Sequence, residues 1–114
     1  MPTYTKRLFS ASTNGQPILI GSTSTTIHTS INNATDFDEV WIWAQNTSAS
    51  AVNLTIQWGG TADPANAVKL QMAASSGSYL LVPGWILNNS LVVSAVAATN
   101  NVITVTGFVN RITA

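Results

Sequence analysis

The chain is short of the residues from which most functional sites are built. It contains no cysteine in 114 residues, so neither a disulfide nor a thiolate metal site is open to it. Charged residues make up 7% of the chain, against about 25% in an average soluble domain. A face that binds nucleic-acid phosphates needs several clustered basic residues, and the chain has four in all. The composition therefore argues against disulfide, thiolate-metal and nucleic-acid-binding proteins.

Long apolar runs are missing as well. No stretch approaches the roughly 20 apolar residues that a membrane-spanning helix requires. The opening residues, MPTYTKRLFS, contain two basic residues but no apolar segment after them, which is unlike a secretory signal. We therefore expect synthesis in a cytoplasm and no membrane partner.

The scarcity of charge also predicts association. The formal net charge is zero at pH 7, so little electrostatic repulsion keeps copies of the chain apart. Apolar residues make up 46% of the sequence, which is enough for a folded core. We expect one domain of which much of the surface is buried in an assembly.

The clearest positive feature is a strict alternation of residue types over residues 39–58, EVWIWAQNTSASAVNLTIQW, interrupted by a polar break at 46–50. Alternation with a period of two predicts strands, and the short break predicts that the two strands form a β-hairpin. One face would be a core of Val40, Ile42, Ala44, Val52, Leu54 and Ile56, and the other would place Trp41 and Trp43 beside Asn53, Thr55 and Gln57.

Trp41 and Trp43 need an explanation, because large indoles on a non-core face suit a surface that something covers. Three alternatives remain open: another segment of the same chain, another protein chain, or a sugar or other small ligand. A sugar site also needs polar side chains to fix hydroxyl groups, and here only amides are plentiful. We expect Trp58 and Trp85, which lie at the ends of predicted strands beside Gly60 and Gly84, to close the ends of the sandwich.

The remainder of the chain reads as further short strands. Turn signals such as Asn14-Gly15, Ser75-Ser76-Gly77 and Pro83-Gly84 separate eight to nine of them, and no stretch longer than about eight residues has helical apolar spacing. The pattern predicts an all-β fold, a single antiparallel β-sandwich and specifically a jelly roll of about eight strands, with another Greek-key sandwich open. Residues 1–12 would be an N-terminal arm or edge strand, and residues 13–114 the sandwich domain.

Candidate catalytic and metal-binding residues are few. Asp36, Asp38 and Glu39 lie close together and offer oxygen ligands for Ca²⁺, although a solvated start of the central strand explains them more simply. His28 lies in a Thr-rich strand, and we favour a polar-face or interface histidine over a general base. No hydrolase, metalloprotease or nucleotide-binding motif is present. We predict no enzyme, no cofactor and no metal site.

Several phrases resemble a known family: MPTYTKRLFSASTNGQPI, DEVWIWAQN, LTIQWGG, LLVPGWILNN (taken as a hairpin) and VTGFVNRITA. Together they are similar to small virion proteins of tailed bacteriophages, the capsid decoration or cement proteins. The resemblance implies a homotrimer on the phage-head exterior at local three-fold positions, made in the host cytoplasm. There it would tie neighbouring major capsid proteins together and stabilise the shell against internal DNA pressure.

The resemblance also directs attention to contact residues, although it implies no catalytic ones. We expect Trp41 and Trp43, with the N-terminal arm around Tyr4, Lys6, Arg7 and Phe9, to form the protein interface. The alternative function is a glycan- or receptor-binding appendage module of the head or tail, in which the same tryptophans would stack on a sugar.

Overall fold

The regular secondary structure of the described part of the chain consists of antiparallel strands. The structure is a computed structural model that describes residues 2–75 and 77–114. None of these residues forms a helix long and apolar enough to cross a membrane. Within them the strands are β1 (Thr3–Arg7), β2 (Ile18–Ile20), β3 (Thr25–Thr29), β4 (Phe37–Asn46), β5 (Val52–Trp58), β6 (Ala67–Met72), β7 (Ser78–Leu87), β8 (Val92–Ala97) and β9 (Ile103–Thr113).

The strands form two antiparallel sheets. In sheet A, β1 and β2 pair with different parts of β9, which is followed by β4 and then by β7 at the far edge. Sheet B has the order β3-β8-β5-β6. The apolar inner faces of the two sheets meet in one core, so the predicted all-β sandwich is confirmed.

The predicted central hairpin is wrong. β4 pairs with β9 and β7 in sheet A, whereas β5 pairs with β8 and β6 in sheet B. The segment between the two strands carries the chain across the sandwich, so Ile42 and Ile56 belong to opposite walls of the same core. Alternation specifies which side of a strand is buried but leaves its neighbour unspecified. The predicted core residues of both strands are buried nonetheless.

A second correction concerns Pro83-Gly84, which does not end a strand. β7 continues through both residues, and its register against β4 shifts at Gly84 and again at Leu81. Proline is tolerated there because β7 is the edge strand of sheet A and its outward amide positions need no partner. The turn predicted at Asn14-Gly15 is present, with φ of 54° and 81°. Of the predicted turn at 75–77, Ser76 lies outside the described residues.

The two tryptophans expected at the ends of the sandwich contact each other. Trp58 of β5 and Trp85 of β7 pack edge to face, with ring centroids 5.4 Å apart and planes at 88°. Edge-to-face packing is a favoured aromatic geometry, so this pair joins the end of sheet B to the edge of sheet A.

Candidate functional site

Three aromatic rings lie together on the outer face of sheet A. Trp41 and Phe108 are directly opposite each other on β4 and β9, with centroids 6.1 Å apart and planes at 15°. Trp43 lies 6.2 Å from Trp41 and 6.0 Å from Phe108. All three side chains are half-buried, although they point away from the core. We call Trp41, Trp43 and Phe108 the aromatic cluster.

Two glycines allow close packing at Trp41, Gly84 against its ring and Gly107 against its backbone. Gly84 of β7 has φ of +80°, and an added Cβ would lie 2.8 Å from the Trp41 ring atom Cζ2. Gly107 of β9 has φ of +151°, and its Cβ would overlap the carbonyl group of Trp41 and approach the Phe9 ring to 2.8 Å. Real Cβ atoms do not approach other atoms so closely, so a larger residue at either position would move β4 or its rings.

Polar groups beside the cluster are already engaged. The Trp41 indole Nε1 donates to Glu39 Oε1 at 2.8 Å, and Asn110 Nδ2 donates to the same oxygen at 3.1 Å. The Lys6 ammonium lies 4.7 Å from the centroid of the Phe108 ring, which is a cation–π distance. The charges next to the cluster therefore have partners within the chain.

The apolar surface extends beyond the three rings. Leu80 lies opposite Trp43, and Ile86 lies opposite Glu39, on the same side of the sheet as the cluster. Tyr4 is two residues before Lys6 and so shares its face, with 69% of its surface exposed. We call the aromatic cluster and its exposed neighbours the apolar face of sheet A; the neighbours are Tyr4, Leu19, Phe37, Leu80 and Ile86.

The outer face of sheet B is mostly polar. Its β5 residues Asn53, Thr55 and Gln57 pair with Gln71, Lys69 and Ala67 of β6. An open depression of about 380 Å³ lies on this side, lined by Asn53, Leu54, Thr55, Lys69, Leu70 and Gln71. The predicted placement of Trp41 and Trp43 beside the polar β5 row is thus wrong, because the two rows cover opposite outer surfaces of the sandwich.

The structure separates the residues expected in the N-terminal contact arm. Tyr4, Lys6 and Arg7 lie on β1, an edge strand whose five residues are all exposed. Lys6 shares the outer face with the aromatic cluster, and Arg7 points to the other side, opposite Val109. The adjacent cations therefore do not form one basic patch.

Phe9 is not a surface residue. It is 3% exposed and belongs to the common core. After β1 the chain turns inward, and the Phe9 ring packs 6.3 Å from the ring of His28. Burial removes Phe9 from the set of residues that can contact another protein in this conformation.

A charged network is buried where the two sheets meet. Asp38 of β4 is fully buried, and its carboxylate accepts two hydrogen bonds from Arg111 of β9, from Nε at 2.8 Å and from Nη2 at 2.9 Å. His28 of β3 places Nε2 2.7 Å from Asp38 Oδ2, and the Ile31 amide donates to the same oxygen at 3.1 Å. The network links sheet B to sheet A.

Hydrogen bonding identifies the tautomer of His28. Its Nδ1 accepts the backbone N–H of Ser10 at 3.0 Å, so the ring proton belongs on Nε2 and is donated to Asp38. Burial lowers the pKa of His28 below 6.5, against the opposing effect of Asp38. Burial on its own would raise the pKa of Asp38, but the bonds from Arg111 and His28 bring it below 3.8. The ground state is a neutral imidazole beside an ion pair.

This network corrects two predictions. Asp38 is buried rather than part of a solvated strand start, and His28 is an interior residue at 2% exposure rather than a polar-face one. Asp36 binds elsewhere, accepting the Ala114 amide at 2.8 Å. Among the described residues no three His, Asp or Glu side chains are grouped as metal ligands. The arrangement acts as a clamp between the sheets.

Comparison with known proteins finds no counterpart for this chain. No protein-family model, no curated protein and no solved structure matches it. The geometry of the apolar face of sheet A and of the buried network therefore provides the basis for assigning a function.

Proposed function

We propose that the chain is a capsid decoration, or cement, protein of a tailed bacteriophage. It binds the exterior of the phage head as a homotrimer at three-fold positions and ties neighbouring major capsid proteins together. The bound shell resists the outward pressure of packaged DNA. The protein carries out no reaction in this role and needs no cofactor.

The observation that carries this proposal is the apolar face of sheet A. Folding of the sandwich buries the inner face of each sheet and leaves this outer face with three half-buried aromatic rings and, around them, several exposed apolar side chains. Aromatic and aliphatic side chains grouped on one outer face are characteristic of protein interfaces, which are enriched in aromatic residues. We assign this face to the contact with the capsid or with a neighbouring copy.

The strand order supports a jelly roll. From β2 to β9 the sheets read β2-β9-β4-β7 and β3-β8-β5-β6, and the chain changes sheet at every connection except that between β5 and β6. Two four-stranded sheets connected in this way are the arrangement expected of a jelly roll, an architecture used in viral shells. β1 then adds to the edge of the first sheet as the arm.

The proposed mechanism is mechanical. A protein–protein interface of ordinary size buries about 1,600 Å², and each added interface must be broken before the shell opens. Because many identical copies bind one shell, modest affinity at each site is reinforced by avidity within a trimer that contacts several capsid subunits. Low charge favours such close packing, since few ions need to be desolvated.

The test adds the purified protein to undecorated heads of the encoding phage and measures the temperature at which DNA is released. We expect saturable binding, trimers counted at three-fold positions, and a higher release temperature. A double variant, Trp41→Ala with Trp43→Ala, should lose about tenfold or more in affinity, as for interface hot spots.

A matched pair on the other outer face, Thr55→Ala with Gln57→Ala, serves as the control and should bind as the wild type does. If both double variants lost affinity for the heads equally, the capsid contact could be assigned to neither outer face. Heads that bind no protein, or gain no heat resistance at saturation, would refute the proposed function.

One observation favours a second candidate, a glycan- or receptor-binding appendage. Glu39 and Asn110 lie beside Trp41, so hydrogen-bonding groups and aromatic surface occur together as sugar sites require. The rings, however, stack on one another, which leaves less of each face for a sugar. A glycan screen distinguishes the two functions. Saturable sugar binding that is lost in Trp43→Ala would favour the appendage over the capsid decoration protein.

A further inference from the structure

The segment after β1 is fastened to sheet B by residues 9–11, which we call the N-terminal latch. Phe9 inserts its ring into the core. The hydroxyl oxygen of Ser10 accepts the backbone N–H of Thr29 at 2.8 Å, and the Ala11 amide donates to the carbonyl of Ile27 at 3.2 Å. The latch thus holds a chain segment from sheet A against β3.

One further bond of the latch depends on the protonation of a side chain. The Ser10 amide donates to Nδ1 of His28 at 3.0 Å, and a ring nitrogen accepts only while it carries no proton. The other ring nitrogen faces Asp38 at 2.7 Å and already holds the single proton of the neutral ring. A second proton must therefore go to Nδ1, where it would point at the N–H of Ser10.

We propose that His28 makes the N-terminal latch sensitive to pH. When the ring takes up a second proton, the bond to Ser10 is replaced by a contact between two donors, and residues 9–11 detach from β3. Phe9 then leaves the core. β1, with all five residues exposed, loosens together with the latch and frees the margin of β9 at 109–113 for another strand. This inference does not depend on the proposed function.

The charges around the ring support this response. Asp38 of β4 attracts the added proton, whereas burial opposes it, as do Arg111 of β9 and Arg7 of β1. Burial is the largest of these influences, and the pKa of His28 is lowered. The Asp38 carboxylate is already paired with the Arg111 guanidinium, so a protonated ring adds an unbalanced positive charge to a buried site.

The test measures amide hydrogen exchange in the wild-type protein between pH 7.5 and pH 5, corrected for intrinsic exchange rates. In this range Asp38 stays ionised, because its pKa lies below 3.8. Below the free imidazole value of 6.5, opening at Ser10, Ala11 and Thr29 should increase by up to about tenfold per pH unit. Amides of β4 should stay far better protected than the latch amides at every pH.

Imidazole ¹⁵N spectra of the same samples provide an independent readout. At pH 7.5 they should show Nδ1 without a proton and Nε2 with one, and the titration of Nδ1 should follow the opening of the latch. The variant His28→Asn offers a neutral acceptor near Nδ1 and should open to the same extent at every pH.

Ser10→Ala is the matched control, because it keeps the amide that bonds His28 and removes only the acceptor for Thr29. Its latch should open more at every pH by a constant factor, with the wild-type slope. The inference fails if opening at Ser10 and Ala11 in the wild type does not change with pH. It also fails if the β4 amides are open to the same extent as the latch amides at each pH, since proton uptake would then unfold the whole sandwich. Should His28→Asn not fold, the wild-type exchange and spectra decide the outcome.

Discussion

The two outer surfaces of this sandwich are built on similar sheets and differ in what they display. On sheet A the outward positions of β4 and β9 carry Trp41, Trp43 and Phe108. On sheet B the outward positions of β5 carry Asn53, Thr55 and Gln57, next to polar residues of β6. Both sheets contribute an apolar inner face to the core, so the sandwich can fold whether an outer face is aromatic or polar. The difference therefore concerns what each surface meets, and this is why the proposed function depends on sheet A.

The two outer surfaces keep their places only while the two sheets remain joined. The largest expected loss of stability therefore follows from breaking the buried network that joins them. Asp38→Ala leaves the Arg111 guanidinium, the His28 ring and the Ile31 amide without their acceptor. Removing one partner of a buried ion pair costs about 3–5 kcal/mol, and urea denaturation followed by tryptophan fluorescence should show it.

The control for this variant is an exposed ion pair of similar length between β6 and the segment that precedes it. Asp63 and Lys69 are 2.7 Å apart and each is 59% exposed. Asp63→Ala should change the free energy of unfolding by about 0–1 kcal/mol. Equal losses in the two variants would mean that the buried network does not join the sheets.

A second prediction concerns the backbone under the aromatic cluster. Gly107→Ala combines a positive φ with overlap against the Trp41 carbonyl, and should destabilise the protein by about 3 kcal/mol or more. Gly77 also has a positive φ, of +78°, but has nothing within 4 Å of its Cβ position, so Gly77→Ala isolates the conformational cost of about 1–2 kcal/mol. Thermal melts of both variants give the difference, and similar losses would argue against close packing of β9 on β4.

The pH dependence of stability provides a third prediction. The folded protein lowers the pKa of His28, so it binds fewer protons than the unfolded chain just below pH 6.5. The contribution of neutral His28 to stability should be fully present above this pH. Below it, the free energy of unfolding should fall by up to about 1.4 kcal/mol per pH unit. Protonation of Asp38 adds a second loss below pH 3.8.

Urea denaturation at a series of pH values tests this dependence. In His28→Asn the first decline should disappear and the second should remain. Stability that rises on acidification from pH 6.5 would contradict the assigned tautomer.

The smallest expected effect comes from exchanging residues between the two outer faces. Trp43→Thr removes a half-buried ring and should cost about 1–2 kcal/mol of monomer stability, whereas Thr55→Trp should change it by less than about 1 kcal/mol. We expect only Trp43→Thr to weaken binding to phage heads. A loss of several kcal/mol for Trp43→Thr would mean instead that the ring serves the fold of its own chain.

Local patterns predicted the faces of strands well and their neighbours poorly. The alternation in β4 placed Val40, Ile42 and Ala44 in the core and Trp41 and Trp43 outside, as the structure has them. The two-residue period of a strand can be read directly from the sequence, because successive side chains point to opposite sides. Pairing partners depend on distant segments, and for this reason the hairpin of β4 with β5 was predicted wrongly.

The candidate site was only partly predictable for the same reason. Trp41 and Trp43 were marked by their position on a non-core face, but their stacking with Phe108 depends on the pairing of β4 with β9. Asp38 and Arg111 are 73 residues apart in sequence, and no local signal connects them. The sequence predicted Phe9 as part of an exposed arm, because no local sequence signal indicates that the chain turns inward after β1.

The sequence by itself determined an all-β sandwich, a chain with few charges, and a pair of tryptophans directed away from the core. These properties follow from composition and from the two-residue period of a strand, both of which are local. Tertiary structure decided that β4 and β5 face each other across the core, that Phe108 completes the aromatic cluster beside Lys6, and that His28 and Asp38 are buried together, with Arg111 bonded to Asp38. These results depend on which distant strands become neighbours, and that is settled only when the inner faces of both sheets are packed at once.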